Sequence, residues 1–292
     1  MTTTTATRPP PPGPRTPVTG STRRREWGVV PGLGVAIPGR QSFTVWQRNC
    51  DVFLQLWKAE FIPPLLEPLI MFAALGLGLG TYVQLTGDVE YMEFLGPGVI
   101  AMFSMFAAVF EGLWGAYFRL DKHGTYEAIL ATPTRPEEIT AGEILWAASR
   151  GAINAAMILL VMFALTPVFG LVSSPLAILA VPVAFLAGVS FGALGQAYVS
   201  QARSVSQLTY FFSLLVMPMF WFSGGFFPLD EFPAWASTAA WFTPLYHAVE
   251  LNRALVTGNI GWGDMEHLAW LVLVMPPLVW LALWTMRRRI VG

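Results

Sequence analysis

Long apolar segments alternate with short polar segments along most of the chain after residue 60. An α-helix needs about 20 residues to cross roughly 30 Å of hydrocarbon, and six of these segments reach about that length. The pattern therefore predicts an all-α integral membrane protein with six transmembrane helices. We place the predicted spans at residues 61–83, 97–118, 144–168, 175–199, 206–222 and 267–286.

Residues 41–60 have a different pattern, in which apolar side chains recur at spacings of three and four with polar side chains between them. This is the periodicity of a helix with one apolar face, and it predicts an amphipathic helix lying in the membrane surface. The alternative, a helix packed on a soluble domain, lacks a candidate domain in this chain. The apolar positions are Phe43, Trp46, Cys50, Phe53 and Trp57.

Residues 1–40 are rich in Thr, Pro, Gly and Arg and carry almost no apolar mass, so we expect a disordered tail. The first sustained apolar run begins only near residue 61, and we therefore do not expect a signal peptide. A cluster of arginines, Arg23, Arg24 and Arg25, either holds this tail near anionic lipid or only helps to fix the topology.

Composition supports a membrane protein, because only 12% of residues are charged, against about 25% in an average soluble domain. All 17 Lys and Arg residues except Arg253 fall in segments on one side of the predicted spans. The positive-inside rule then predicts that both termini and the segment between spans two and three are cytoplasmic.

The chain lacks the motifs of an ATPase or an enzyme. Its two lysines, Lys58 and Lys122, follow Trp57 and Asp121, so no Gly-Lys-Ser/Thr phosphate loop exists and any ATP and Mg²⁺ must be bound by another polypeptide. No HExxH or GxSxG motif occurs, and we expect no catalytic residue, no cofactor and no metal in this chain. The histidines, which do not have metal-ligand spacing, are His123, His247 and His267.

The longest polar insertion on the positively charged side runs from Glu111 to Trp146. Pro133 and Pro136 bracket a break within it, and the residues from Thr125 to Thr132 can form about two helical turns. We interpret this short helix as a docking element for a partner protein, and we expect residues 136–146 to restart a helix that continues into the third span.

Residues 224–258 are apolar and aromatic but are interrupted by Pro228, Pro233 and Pro244. Each piece is too short to cross the bilayer, which predicts a re-entrant helical hairpin in the outer leaflet. The alternative is a surface loop with the interfacial tryptophans Trp235 and Trp241.

Several segments, taken in order, resemble the permease subunits of ABC-2 type exporters. They are TYEAILATP, the pair Gly142 and Glu143, FSGGFFPLDEFP and FTPLYHAVELNRAL, together with EPLIMFAALGLGLG in the first span. The resemblance covers residues 41–289 and is closest to the nodulation protein J branch, with the daunorubicin-resistance permeases as more distant relatives.

This resemblance implies a half-transporter in the bacterial inner membrane. A second permease copy, expected to make a homodimer, and two separate ABC ATPase subunits would complete it, with membrane lipid around it and no nucleic acid. The resemblance also identifies the short helix as a coupling helix seated on the ATPase, and the hairpin as an element that closes the exit. The implied coupling residues are Thr125, Tyr126, Glu127, Ile129, Leu130 and Thr132.

Three charged residues, Glu67, Glu111 and Arg150, fall inside predicted spans. A carboxylate at the bilayer centre costs at least about 2.5 kcal/mol, so these side chains need partners or water. We predict an ion pair between Glu111 and Arg150; the alternative role is a proton relay.

Two further sets of residues are candidates for packing or transport. Glycines four apart allow close helix approach. We expect Gly76 and Gly80 at the subunit interface and Gly188 and Gly192 within one subunit, and ordinary packing inside one helix bundle is the alternative for both pairs. Aromatic side chains could line a translocation path by stacking on sugar or drug rings, although each could equally serve packing. The path candidates are Trp114, Tyr117, Tyr210, Phe220 and Trp221.

The nearest branch implies export of a lipid-linked or acylated oligosaccharide, whereas the drug-resistance relatives imply hydrophobic drugs or lipids. An intramembrane enzyme fits less well, because the histidines lack metal-ligand spacing and no nucleophile motif occurs. A channel or scaffold without an ATPase also fits less well, because it would not need a short proline-bracketed docking helix.

Overall fold

The computed structural model describes residues 34–78, 91–229 and 232–291, and no strand occurs among them, which confirms the all-α prediction for that part of the chain. The helices are α1 (Gln41–Gln55), α2 (Trp57–Met71), α3 (Tyr91–Phe110), α4 (Thr125–Leu130), α5 (Pro136–Phe169), α6 (Ala180–Val199), α7 (Val205–Phe211), α8 (Met217–Trp221), α9 (Ala234–Trp241), α10 (Pro244–Thr257) and α11 (Trp262–Val291).

Four helices of the described residues are long and apolar enough to cross a membrane, and they contain four of the predicted spans. They are Tyr91–Lys122, in which π-helical turns extend α3, Pro136–Phe169, Pro175–Val199, in which a 3₁₀ turn precedes α6, and Trp262–Val291. The predicted fifth span corresponds to the shorter apolar helix Val205–Trp221, which includes a π-helical turn. The predicted first span is described only as far as residue 78, where a π-helical turn, Phe72–Leu77, follows α2.

Helix α5 begins eight residues before the span that hydropathy placed at 144–168. Pro136 occupies the first turn, where its missing N–H costs nothing, and the Arg135 N–H donates to Glu138 Oε2 at 2.9 Å. Hydropathy alone placed the span later because the first turns are polar, but the prediction that a helix restarts at residues 136–146 and continues into the third span is confirmed. The first turns are nonetheless buried, with Glu137 fully inaccessible and Glu143 1% exposed.

Small residues bring α5 and α6 into close contact. A Cβ on Gly188 would lie 2.9 Å from the Ala148 Cα, and a Cβ on Gly192 would lie 2.8 Å from the Ala147 Cβ. Both glycines therefore face α5 within this chain. Of the other predicted pair, Gly76 lies in the π-helical turn after α2, and Gly80 lies outside the described residues.

The segment before α1 differs from the predicted tail. Val35 and Ala36 are buried, and the Ala36 N–H donates to Glu137 Oε1 at 3.1 Å. Their apolar side chains and this backbone bond fix residues 34–40 against the start of α5. Residues 1–33, with the predicted arginine cluster, lie outside the described part of the chain.

Helices α9 and α10 occupy the stretch predicted as a hairpin. Thr243 Oγ1 accepts from the Tyr246 N–H at 3.3 Å, and Pro244 opens α10 in its first turn. Helix α10 packs against α3, α6 and α11, and its residues Leu245, Val249 and Val256 are fully buried.

Candidate functional site

Helix α4 presents a small exposed surface. It follows Gly124, whose φ of +62° allows the sharp change of direction after the long helix that starts at Tyr91. The Thr132 hydroxyl donates to the Ile129 carbonyl oxygen at 2.6 Å beyond its last turn. The exposed side chains here are Glu127, Ala128, Ala131, Thr132 and Pro133.

Tyr126 does not belong to this exposed surface, which changes its predicted role as a contact residue. Its side chain is 1% exposed and lies beside Arg119, Glu143 and Gln196. Burial, and to a smaller extent the nearby Glu143 carboxylate, hold the pKa of the Tyr126 phenol well above its usual value, so the phenol is neutral. Tyr126 therefore anchors α4 to the helices behind it.

The other predicted coupling residues divide between surface and interior. Glu127 and Thr132 are exposed, while Thr125 is half-buried. Ile129 and Leu130 are also half-buried and pack on the hydrophobic core. The resemblance implied six coupling residues on this helix, and the structure places only Glu127 and Thr132 of them on its exposed side.

An ion-pair cluster lies directly behind α4. Arg119 donates to both carboxylate oxygens of Glu143, from Nε at 3.0 Å and from Nη2 at 2.5 Å. Its Nη1 lies 2.7 Å from Glu111 Oε1. This bidentate geometry compensates the burial of Glu143, whose side chain is fully inaccessible.

Arg150 extends the same cluster towards α2. Its Nη2 lies 2.6 Å from Glu60 Oε2, its Nε lies 3.8 Å from Glu111 Oε2, and its guanidinium lies 4.6 Å from the Phe53 ring centroid. The structure thus places Glu111 and Arg150 together, as the sequence predicted, but each has a closer partner. We define the ion-pair cluster as Glu60, Arg150, Glu111, Arg119 and Glu143.

Sequence reasoning assigned none of Glu60, Arg119 and Glu143 to an ion pair, although Glu143 belongs to a motif that carries the family resemblance. Arg119 follows the predicted second span and Glu143 precedes the third, so opposite charges at adjacent ends of consecutive helices were a usable signal. Glu60 carried no such signal, because it was assigned to the surface helix and lies 90 residues from Arg150.

The ends of other helices join this region. Arg287, near the end of α11, pairs with the buried Glu137 of α5, and Arg289 Nη2 lies 3.9 Å from Asp121 Oδ1. The ends of α5 and α11 and the turn before α4 are therefore connected by charge as well as by packing.

Two open grooves border the ion-pair cluster, with volumes of about 520 Å³ and 300 Å³. Glu60, Glu111 and Arg150 line both of them. Glu67, the third predicted intramembrane charge, is exposed on the wall of the larger groove.

The predicted path residues do not form one lining. Trp114 and Phe220 belong to one aromatic cluster through Phe106, Phe110 and Phe212, with ring centroids 4.7–5.7 Å apart. Tyr117 is buried and donates to Asp121 Oδ2 at 3.1 Å. The remaining two candidates, Tyr210 and Trp221, are 63% and 55% exposed.

Two of the histidines meet although their spacing gave no such indication. His247 Nδ1 lies 2.8 Å from His267 Nδ1, and His247 Nε2 lies 2.7 Å from the Trp241 carbonyl oxygen. Because a carbonyl only accepts, His247 Nε2 carries a proton and its Nδ1 accepts from His267 when both rings are neutral. This pair joins α10 to α11, while His123 lies apart against Phe118. Among the described residues, no group of three or more His, Cys, Asp or Glu side chains could hold a metal ion.

Comparisons with known proteins match most of the chain. A family model described as ABC-2 type transporter matches residues 40–256. Nodulation protein J from Rhizobium leguminosarum bv. trifolii is 34% identical over 257 residues, covering 87% of this chain and 97% of that protein. Nodulation protein J from Neorhizobium galegae is 31% identical over 255 residues, covering 84% and 92%. The inner membrane transport permease YadH from Escherichia coli (strain K12) is 24% identical over 189 residues, covering 61% and 73%.

Proposed function

The chain belongs to the ABC-2 type transporter family, and from this premise we propose that it exports a lipid-linked or acylated oligosaccharide across the inner membrane. As a permease of this family it is the multi-pass membrane subunit of an ABC exporter, and its partner is an ABC ATPase. In the proposed complex, two copies of the chain form the path and two ATPase subunits bind ATP and Mg²⁺.

The position of α4 is the observation that best supports the proposed contact with the ATPase. This helix has an exposed side, formed by Glu127, Ala128 and Ala131, and a buried anchor, Tyr126. It lies between two membrane-crossing helices, three residues after one ends at Lys122 and six residues before the next begins at Pro136. A partner that pushes on the exposed side would therefore move both helices.

The six-span arrangement belongs to the same proposal. The helix Val205–Trp221 would form the fifth span, and α2 with the turn after it would begin the first. Helices α9 and α10 would form the outer re-entrant hairpin, with the two histidines fixing α10 to α11. Both termini and α4 would then face the cytoplasm, in agreement with the distribution of Lys and Arg.

The substrate class rests on the relatives that are named Nodulation protein J, at 34% and 31% identity. An acylated oligosaccharide needs both apolar and polar contacts, and the larger groove offers a phenylalanine wall beside charged residues. The competing substrate class, hydrophobic drugs or lipids, would use the apolar wall alone.

Co-purification with the cognate ATPase tests the partner contact. We expect Glu127→Arg and Ala128→Trp, which change the exposed side of α4, to reduce ATPase recovery at least about tenfold, because charge reversal and steric overlap oppose docking. Glu266→Arg makes the same charge change at an exposed position in α11 and should retain the ATPase. Wild-type recovery with both α4 variants would overturn the contact.

Transport by the reconstituted complex tests the substrate class. Inside-out vesicles containing the permease and its ATPase should take up a fluorescent acylated tetrasaccharide in an ATP-dependent manner. Uptake of a planar cationic drug in place of the oligosaccharide would favour the competing class.

A further inference from the structure

The larger of the two grooves combines an apolar wall with charged and polar lining residues. It has a volume of about 520 Å³ and lies between α2, the helix that starts with α3, and α5. The wall is a row of phenylalanines at helical spacing on the α3 side, which suits an acyl chain. These residues are Phe103, Phe106 and Phe110.

The charged residues of the groove are mainly acidic. Glu60, Glu67 and Glu111 line it together with one basic residue, Arg150. Arg150 already pairs with Glu60 at 2.6 Å and approaches Glu111 at 3.8 Å. Arg119 lies 2.7 Å from Glu111, so the negative charge that these two arginines do not offset is that of Glu67. The remaining negative charge favours a cationic ligand group over an anionic one.

Hydrogen-bond acceptors that lack their usual donors point to the same ligand chemistry independently of the acids. Asn154 lines the groove, is 8% exposed, and its Oδ1 atom has no hydrogen-bond partner. Prolines at positions 63 and 64 of α2 have no N–H, so the carbonyls of Ala59 and Glu60 lose their usual intrahelical donors. Both of these residues also line the groove. The groove therefore offers acceptors that a donor-rich ligand would satisfy.

We propose that this groove binds the ammonium-bearing headgroup of an amphiphile, with Glu67 and Asn154 as its polar contacts and the phenylalanine row against its acyl chain. The ammonium group could belong to an amino-sugar glycolipid or to an aminophospholipid. Calling this amphiphile the transported substrate rests on the proposed function, but the binding itself does not.

Native mass spectrometry of the purified full-length chain in dodecyl maltoside can measure this binding without an ATPase. Dodecyl 2-amino-2-deoxyglucoside and dodecyl glucoside differ only in an ammonium group against a hydroxyl group. We expect the amino-glucoside to bind about tenfold more tightly, as one charge-assisted hydrogen bond allows. To test an aminophospholipid as the source of the ammonium group, the binding of lysophosphatidylethanolamine is compared with that of lysophosphatidylglycerol.

Variants of the polar contacts locate the site. Glu67 is exposed to the groove, so Glu67→Gln removes its charge with little change of shape. We expect Glu67→Gln to reduce the preference for the amino-glucoside over dodecyl glucoside to less than about threefold. We expect Glu67→Lys to bind dodecyl sulfate more tightly than the amino-glucoside. Asn154→Leu should weaken the binding of both the amino-glucoside and dodecyl glucoside. Glu266→Lys is the control, because it makes the same charge change at an exposed site on α11.

The outcomes separate this proposal from the export proposal. Equal binding of the two glucosides by the unmodified chain would overturn the ammonium site, as would a preference unchanged by both Glu67→Gln and Glu67→Lys. Neither result bears on ATPase recovery through α4. Preference for the amino-glucoside over lysophosphatidylethanolamine identifies a glycolipid, and the reverse preference identifies an aminophospholipid.

Discussion

Arg119 is the residue on which the ion-pair cluster depends most. Its guanidinium contacts Glu143 through two nitrogen atoms and Glu111 through the third. Glu143 is buried beside Tyr126, so the same arginine also compensates the charge behind α4. Removing one partner of a buried pair costs more than the pair contributes, because the other charge stays behind without compensation.

We therefore expect Arg119→Ala to lower the free energy of unfolding by about 3–5 kcal/mol. Arg119→Lys should recover only part of this loss, since an ammonium group cannot reproduce the two parallel bonds to Glu143. Thermal unfolding of the purified chain in detergent measures both effects. Arg203→Ala changes an exposed arginine and should leave the midpoint nearly unchanged. Equal unfolding midpoints for Arg119→Ala and Arg203→Ala would contradict the role of Arg119 in compensating the buried charge of Glu143.

The partners of Arg150 can be ranked by double-mutant cycles. Its Nη2 atom lies 2.6 Å from Glu60 Oε2, whereas its Nε atom lies 3.8 Å from Glu111 Oε2. We expect a coupling free energy of roughly 1 kcal/mol between Arg150→Met and Glu60→Gln, because both side chains are partly exposed, and a smaller value with Glu111→Gln. Unfolding midpoints of the single and double variants supply the cycle. A larger coupling to Glu111 would favour the pair that the sequence alone predicted.

Contact between α5 and α6 depends on residues without bulky side chains. A Cβ at Gly188 would lie 2.9 Å from the Ala148 Cα, a backbone atom that cannot move independently of α5. Gly263 in α11 has open space in the same position, with no atom within 4 Å. The two glycines thus separate the cost of lost helix contact from the general effect of replacing a helical glycine.

Gly188→Ala should destabilise the chain by about 1–3 kcal/mol, because the added methyl group forces the helices apart. Gly263→Ala should be neutral or stabilising by up to about 1 kcal/mol, since alanine has the higher helix propensity. Thermal unfolding in detergent again provides the measurement. Destabilisation of the same size in both variants would show that close packing at Gly188 is not the cause.

Hydropathy was sufficient to locate the long helices, because a 20-residue apolar segment has few alternatives in a membrane. It failed at α5, where eight polar or mixed residues before residue 144 continue the helix and become buried through long-range contacts. The same reason explains Glu60 and the histidine pair. Their partners are 90 and 20 residues away, and only the packing of α2 on α5 and of α10 on α11 brings them together.

At the scale of the whole molecule, ion pairs connect the residues before α4, the start of α5 and the end of α11. Arg119 pairs with Glu143, Arg287 pairs with Glu137, and Arg289 approaches Asp121. Basic residues are retained on the cytoplasmic side of membrane proteins. This distribution therefore predicts that α4 faces the cytoplasm and that the turn between α10 and α11 faces outwards.

Thiol labelling tests this orientation directly, because the chain has a single cysteine. Burial is the larger cause, and the neighbouring Asp51 the smaller one, of a raised pKa for the Cys50 thiol, so little of it is present as reactive thiolate. The substitution Cys50→Ser removes this thiol altogether. In that background, Gly261→Cys and Ala131→Cys each introduce one thiol at an exposed position in the two opposite turns.

A membrane-impermeant maleimide added to spheroplasts should label Gly261→Cys at once and Ala131→Cys only after lysis. Expression without the ATPase keeps the α4 surface free of a partner, so protection of Ala131→Cys must come from the membrane. Labelling of Ala131→Cys in sealed spheroplasts would place α4 outside. The proposed coupling to a cytoplasmic ATPase would then fail, because an ATPase inside the cell could not reach the surface formed by Glu127 and Ala128.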